Sequence, residues 1–412
     1  MPPHRQWEVI MDRRHALKLI GAAALGTTLP AGLSLGADVG IDEASKTISI
    51  GGFTPITGPV PFYAILTHAA DAYFRNVNEN GGIRGWKVKY TTLDDGYDPA
   101  RSVAVTRKLV EDDKIFALVA SVGTATNVAV VPYAKEIGLA MLGPIGGASA
   151  FFSEPNIFPL LPDYGWSAAA NAEFALNDLK LGKIALLWEN DELGRSAKRG
   201  FELYMNERKV APAESVSFEV KTTDFTPHLR RVANAGAEAV ILFGSNANLA
   251  GALKAADREG VKLTWFAPFF TADPSTYKLA GDLLNGVYFS SWLLPVTSDE
   301  ADVKAYRTAI AKYYPSDPIG VFGLNGWSNA ALFGTIFEAL LASGKPITRE
   351  NLIASGNALV DASVGGARKV TFRAGDHRGT RQEAIIQAKD RSFMMVRDFK
   401  AYPSVAFDAK PS

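Results

Sequence analysis

A chain of 412 residues is too long for one compact core and suits two lobes, each burying its own. Lys and Arg number 43 and Asp and Glu 43, so there is no basic excess to hold a phosphate backbone or an anionic bilayer, and nucleic acid is excluded as a partner class. The absence of cysteine excludes disulfides, thiolate metal sites, cysteine nucleophiles and a lipidated N-terminal cysteine.

Residues 1–37 read as an export signal. Arg13 and Arg14 precede an apolar, small-residue run over 19–29, and Leu35-Gly36-Ala37 offers small residues for cleavage. The run is too short and too rich in Gly and Ala for a membrane span. The arginine pair is twin-arginine-like, although His15 and Ala16 depart from that pattern and leave the general secretion route open. Either route predicts a periplasmic, signal-cleaved protein with no direct membrane insertion after signal removal.

From Thr47 the chain alternates short β-rich runs with helical stretches. Residues 48–53 read as a strand and 63–78 as a helix whose apolar stripe is Ile65, Ala69, Tyr73 and Val77. Trp86, Val88 and Tyr90 alternate with polar residues as a strand, and Asp98-Pro99 starts a helix. The apolar runs 115–120 and 139–142 suit buried parallel strands, with a helix over 126–136 between them. A second series follows, with strands over 183–188, 216–220, 239–243 and 264–267 and helices near 167–178, 194–207, 227–235 and 248–259. Repeated β-α alternation predicts a parallel sheet with helices on both faces, and here it occurs twice. A strand over 286–290, helices over 300–313 and 325–342, and strands over 369–373, 383–388 and 392–397 complete the pattern. That tail predicts passage between the lobes near residues 163, 294 and 368.

The order and spacing of three pieces are specific: Pro55-Ile56-Thr57-Gly58-Pro59, then Asn80-Gly81-Gly82-Ile83-Arg84-Gly85, then Asp94-Asp95-Gly96-Tyr97-Asp98-Pro99. Gly123-Thr124-Ala125-Thr126-Asn127, Gly143-Pro144-Ile145-Gly146-Gly147-Ala148 and Glu189-Asn190-Asp191-Glu192-Leu193-Gly194 follow. Together they resemble the type I periplasmic binding proteins, in the leucine/isoleucine/valine-binding branch of ABC transporter substrate-binding proteins, over about residues 46–400. The resemblance implies an α/β fold of two doubly wound parallel-sheet lobes joined by a three-stranded hinge. Lobe 1 would be 46–162 plus 294–368, and lobe 2 would be 163–293 plus 369–405. It also implies a receptor that captures a small-molecule solute by hinge closure and passes it to a membrane permease.

Residue chemistry points to the same loops. Gly123, Thr124, Ala125 and Thr126 close a predicted strand and open a helix, where free N–H groups and the positive dipole end can hold a carboxylate. The alternative there is an ordinary helix cap. Ile145, Gly146 and Gly147 follow the next strand, and missing side chains let a ligand approach the backbone. By position in the resemblance, Tyr63 is an aromatic wall, Ser245 and Asn246 are polar contacts, and Tyr164 reaches the cleft or packs the hinge. Phe269 and Phe270 stand where amino-acid-binding relatives often carry an acid for the ligand's ammonium; Asp273 is a substitute or, before Pro274, a cap. Tyr97 and Val122 stand where relatives often carry a cysteine pair. The solute is therefore expected to bear a carboxylate, as an amino acid or an apolar or aromatic organic acid.

No phosphate loop, H-E-x-x-H, G-x-S-x-G elbow or dinucleotide fingerprint is present, so neither catalysis nor a cofactor is expected. His68, His228 and His377 are far apart in sequence and predict no shared metal. An exported enzyme on a doubly wound fold, recognisable by turnover, and a ligand-sensing regulator, which would normally lack the signal, are the alternatives.

Overall fold

Two parallel sheets are built from consecutive halves of the chain in the computed structural model, which describes residues 39–403. The export signal expected over 1–37 lies outside the described residues. The first half runs β1 (Ile41–Asp42), β2 (Thr47–Thr54), α1 (Ala64–Glu79), β3 (Lys87–Asp94), α2 (Pro99–Glu111), β4 (Ala117–Val119), α3 (Thr124–Glu136), β5 (Ala140–Leu142) and β6 (Ile157–Phe158). Across the sheet the order is β3-β2-β4-β5-β6, all parallel, with β1 turned antiparallel onto the start of β2. Strands covered on both faces must be apolar throughout, and Ala117, Leu118 and Val119 and Ala140, Met141 and Leu142 are all fully buried.

After α4 (Tyr164–Glu173) the second half runs β7 (Ile184–Glu189), α5 (Glu192–Glu207), β8 (Glu214–Phe218), α6 (Thr226–Asn234), β9 (Ala239–Phe243), α7 (Asn246–Glu259), β10 (Thr264–Pro268), α8 (Pro274–Ala280) and β11 (Tyr288–Ser291). The same order recurs, β8-β7-β9-β10-β11, all parallel. Each sheet thus has a switch point where its strand order reverses, between β2 and β4 in the first and between β7 and β9 in the second. Ligands of open α/β sheets bind beyond the strand ends at such points.

The chain then returns to the first sheet. Helices α9 (Ala301–Tyr313) and α10 (Val321–Ala342) pack on α1, and α11 (Arg349–Asn357) packs on α10. The hairpin β12 (Ala362–Val364) and β13 (Ala367–Val370) follows, and β14 (Gln382–Lys389) and β15 (Ser392–Ala401) add antiparallel strands beside β11. The strand expected over 369–373 differs: its start belongs to β13, which pairs with β12 and with neither large sheet. Residues beyond it remain against the first sheet, where His377 bonds the Ile157 carbonyl at 2.7 Å and Thr380 Oγ1 donates to the Leu160 carbonyl at 3.0 Å.

The chain passes between the sheets three times: from β6 to α4, from β11 to α9, and from β13 to β14. The ends of these crossing segments are tied to neighbouring elements. Tyr164 N donates to the Gly147 carbonyl (3.0 Å), Leu294 N to the Gly366 carbonyl (2.9 Å), and Ser167 Oγ to Glu383 Oε1 (2.6 Å).

Candidate functional site

Between the two switch points lies a narrow cavity of about 30 Å³, smaller than an organic solute needs, so binding requires its walls to part. Its floor on the first sheet is the turn from β4 into α3. Val122 N donates to the Phe53 carbonyl (2.9 Å), Ile145 N to the Ser121 carbonyl (2.7 Å) and Gly123 N to the Ile145 carbonyl (3.0 Å), so three strand ends are tied together. The Asn127 amide donates to the carbonyls of Ser121 (2.9 Å) and Gly123 (2.7 Å), while Ser121 Oγ donates to Asn127 Oδ1 (2.5 Å). Gly123 has φ +111°, a conformation that side-chain-bearing residues rarely adopt, and a Cβ there would lie 2.3 Å from Thr126 Oγ1. No side chain caps α3, so the N–H groups of its first turn remain for a guest, with the dipole favouring an anion.

Seven of the thirteen residues singled out in the sequence line this cavity: Tyr63, Gly123, Thr124, Ile145, Tyr164, Phe269 and Phe270. The remaining six do not. Ala125 is half-buried outside the lining, and Thr126 Oγ1 turns back to the Val122 carbonyl at 2.9 Å. Gly146 and Gly147 make room for protein: a Cβ on Gly146 would meet Thr124 Cα at 3.0 Å, and one on Gly147 would meet the Tyr164 ring at 2.9 Å. Ser245 caps α7 and lines a neighbouring space; Asn246 is fully buried and donates to Thr276 Oγ1 at 2.5 Å.

The walls are aromatic. Tyr63 meets Tyr97 edge-on at 6.0 Å and Phe322 at 5.1 Å; across the cavity Tyr164 meets Phe270 edge-on at 5.8 Å, and Phe270 meets Phe269 at 5.5 Å. Burial pushes the hydroxyls of Tyr63, Tyr97 and Tyr164 up, so all three remain neutral hydrogen-bond donors. Asn325 Oδ1 accepts from Asn329 Nδ2 at 2.7 Å, which leaves the Asn325 amide nitrogen as the donor it can offer.

Leu66, Tyr97, Val122, Leu161, Leu193, Phe322 and Asn325 also line the cavity, and sequence reasoning did not place them there. Tyr97 carries the clearest local mark, a non-glycine residue at φ +60° beside Gly96 at φ +62°. Such backbone persists where the surroundings enforce it, often at binding sites.

None of the fourteen lining residues is charged. The acids nearest the tyrosines are Glu189 and Asp191, which raise the Tyr63 and Tyr97 hydroxyls further. Burial, then the neighbouring Asp191, pushes Glu189 up to about 8, so it retains its proton at neutral pH. Asp191 is used as the cap of α5, accepting from Gly194 N at 3.1 Å. Asp273 is used as well, accepting from Ser275 N at 2.9 Å and Phe322 N at 3.2 Å. Among the described residues no cluster of His, Cys, Asp and Glu has the makings of a metal site, and no helix is long and apolar enough to cross a membrane.

The profile of the periplasmic binding protein family matches residues 47–392. A Leu/Ile/Val-binding protein homolog from Brucella melitensis is 26% identical over 234 residues, which are 56% of this chain and 61% of the relative. Among solved structures, a fatty acid ABC transporter substrate-binding protein from Thermomonospora curvata superposes with a TM-score of 0.80 at 21% identity, over 89% of this chain and 95% of its own. A branched chain amino acid ABC transporter protein from Thermus thermophilus with bound valine gives 0.79 at 22% identity, over 86% and 96%.

Proposed function

Since the chain belongs to the type I periplasmic binding proteins, in their leucine/isoleucine/valine-binding branch, a family of solute-binding proteins rather than enzymes, we propose that it is the extracytoplasmic receptor of an ABC transporter for a small apolar or aromatic carboxylate. The observation that carries the ligand class is the uncharged lining. A carboxylate finds the uncapped first turn of α3, the Thr124 hydroxyl, tyrosine hydroxyls and the Asn325 amide. An ammonium finds no carboxylate in the cavity wall. Burying it without one is costly, and ring faces compensate less than a charge-assisted hydrogen bond. The Thermomonospora neighbour is named for fatty acids, which are carboxylates without an amino group, whereas the Thermus neighbour holds valine.

Lobe 1 carries the first sheet with α9 to α11, and lobe 2 the second sheet; the third crossing falls near residue 380, where Thr380 still bonds Leu160 and β14 begins at Gln382. Solute bridging both lobes favours closure because only the closed state completes its contacts. Export to the periplasm, through the signal at 1–37, and delivery to a permease follow from the same reading. Replacing Arg13 and Arg14 with Lys should block export by the twin-arginine route; normal export of that variant assigns the general secretion route instead.

Calorimetry on refolded, ligand-stripped protein tests the ligand class. At least one of hexanoate, 4-methylpentanoate, benzoate and phenylacetate should bind as tightly as leucine or valine. Tight leucine binding with no response to any acid lacking an amino group refutes this reading.

A further inference from the structure

Helix α10 begins without a cap of its own. Gly320 stands at its N-cap position with no side chain to offer, although the helix runs for 22 residues and carries Phe322 and Asn325 in the cavity wall. The missing acceptor comes from the other sheet. Asp273, between β10 and α8 and only 1% exposed, caps α8 with Oδ1 on Ser275 N (2.9 Å) and reaches across with Oδ2 to Phe322 N (3.2 Å). One carboxylate therefore serves the second residue of two helices on different sheets, facing the positive end of both. The opposing surfaces leave no slack: a Cβ on Gly320 would lie 2.2 Å from Asp273 Oδ2 and 2.9 Å from Pro274 Cδ. Gly320 itself is extended, with φ −145°, so another residue there would carry no backbone strain. Glycine at this position answers to the other sheet, and Tyr306 holds it in place, its hydroxyl donating to the Gly320 carbonyl at 2.9 Å.

We propose that Asp273 and Gly320 form an interlobe latch, in which a carboxylate from lobe 2 caps a lobe 1 helix only when the lobes are closed. The inference rests on the two-lobe reading above. Asp273 is a positioning residue: it sets Phe322 and Asn325 of one lobe against Phe269 and Phe270 of the other, and so holds a closed population before any solute enters. Opening would break the Phe322 bond while leaving Asp273 its cap on α8, so each lobe remains folded when the latch is released.

With no native cysteine, spin labels can be placed without background, at Ile56→Cys and Thr223→Cys. These exposed positions adjoin Pro59 and Lys221 on opposite sides of the cleft mouth. Pulsed electron resonance on solute-free protein should show a short-distance population in the otherwise unmodified chain. Gly320→Ala and Asp273→Ala should each move at least half of the molecules to longer distances, with melting temperatures unchanged within about 3 °C. In the double variant Gly320→Ala with Asp273→Ala, the collision with the carboxylate is gone, so opening should not exceed that of Gly320→Ala alone. A Gly320→Ala distribution superimposable on that of the parent overturns the latch, as does a parent that is wholly open. Because no solute is used, this outcome is independent of the carboxylate panel: failure of the panel leaves the latch standing, and failure of the latch leaves the ligand class standing.

Discussion

Thr124 and Gly123 contribute to the site in different ways, and the two are separable by substitution. Thr124 is almost fully buried in the first turn of α3, where its hydroxyl meets that of Tyr164 from the facing wall. A hydrogen bond to a charged group contributes about 1.5–3 kcal/mol, so Thr124→Val, which conserves shape, should weaken the best acid of the panel by about tenfold or more while leaving the melting temperature within about 2 °C. Gly123→Ala should instead lower stability by about 2 kcal/mol and abolish binding, because it strains the backbone and drives a Cβ to 2.8 Å from Tyr97 Cε2. Thermal melts beside calorimetry distinguish the two. The placement of Gly123 and Thr124 on the cavity wall was legible because a turn that closes a parallel strand and opens a helix lies at the strand's carboxyl end. That of Gly146 and Gly147 was not: a glycine accommodating a ligand and one accommodating Tyr164 look the same until the ring is placed.

At the scale of elements, the turn from β4 into α3 depends on one side chain. Asn127 satisfies two carbonyls and receives Ser121 Oγ, all within a fully buried loop. Asn127→Ala would leave buried polar groups without partners and should cost about 2 kcal/mol or more, read from urea unfolding, with loss of solute binding as the turn relaxes. Elements with strong periodicity or clear punctuation were legible: α1, β7 and β9 lie within two residues of expectation, and α2 starts at Pro99 as expected. The start of α10 was not, since a helix buried on nearly all sides has no amphipathic stripe and Gly320 gives no capping signal. Phe322 and Asn325 were therefore missed as lining residues. Helix α8 was passed over for a related reason, because Asp273-Pro274 serves a turn as readily as a helix start.

For the molecule as a whole, the two-sheet architecture was legible because β-α alternation constrains topology strongly, whereas the third crossing depends on tertiary contacts of His377 and Thr380 that leave no local pattern. That crossing carries a pH dependence. Glu383 is fully buried at the start of β14, held by Ser167 Oγ, and burial pushes it from 4.5 up to about 8. Glu189, at the second switch point, is pushed to about 8 as well. An acid whose folded value is raised binds its proton more tightly in the folded chain than in the unfolded one. Folding then takes up protons between about 4.5 and about 8, and stability falls as pH rises through that window. Buried His377 and half-buried His228 act in the opposite sense, since desolvation lowers both and favours the folded state as pH rises towards 6.5, but their contribution is complete by about pH 7. Between pH 7 and 9 the two glutamates should dominate, and the melting temperature should decline. Glu383→Gln keeps the shape and an acceptor for Ser167 while removing the titration, so it should flatten that decline without altering stability at pH 6 by more than about 1 kcal/mol. Parallel slopes for parent and variant between pH 7 and 9 would show that Glu383 ionises normally in the folded protein, and that water reaches the crossing.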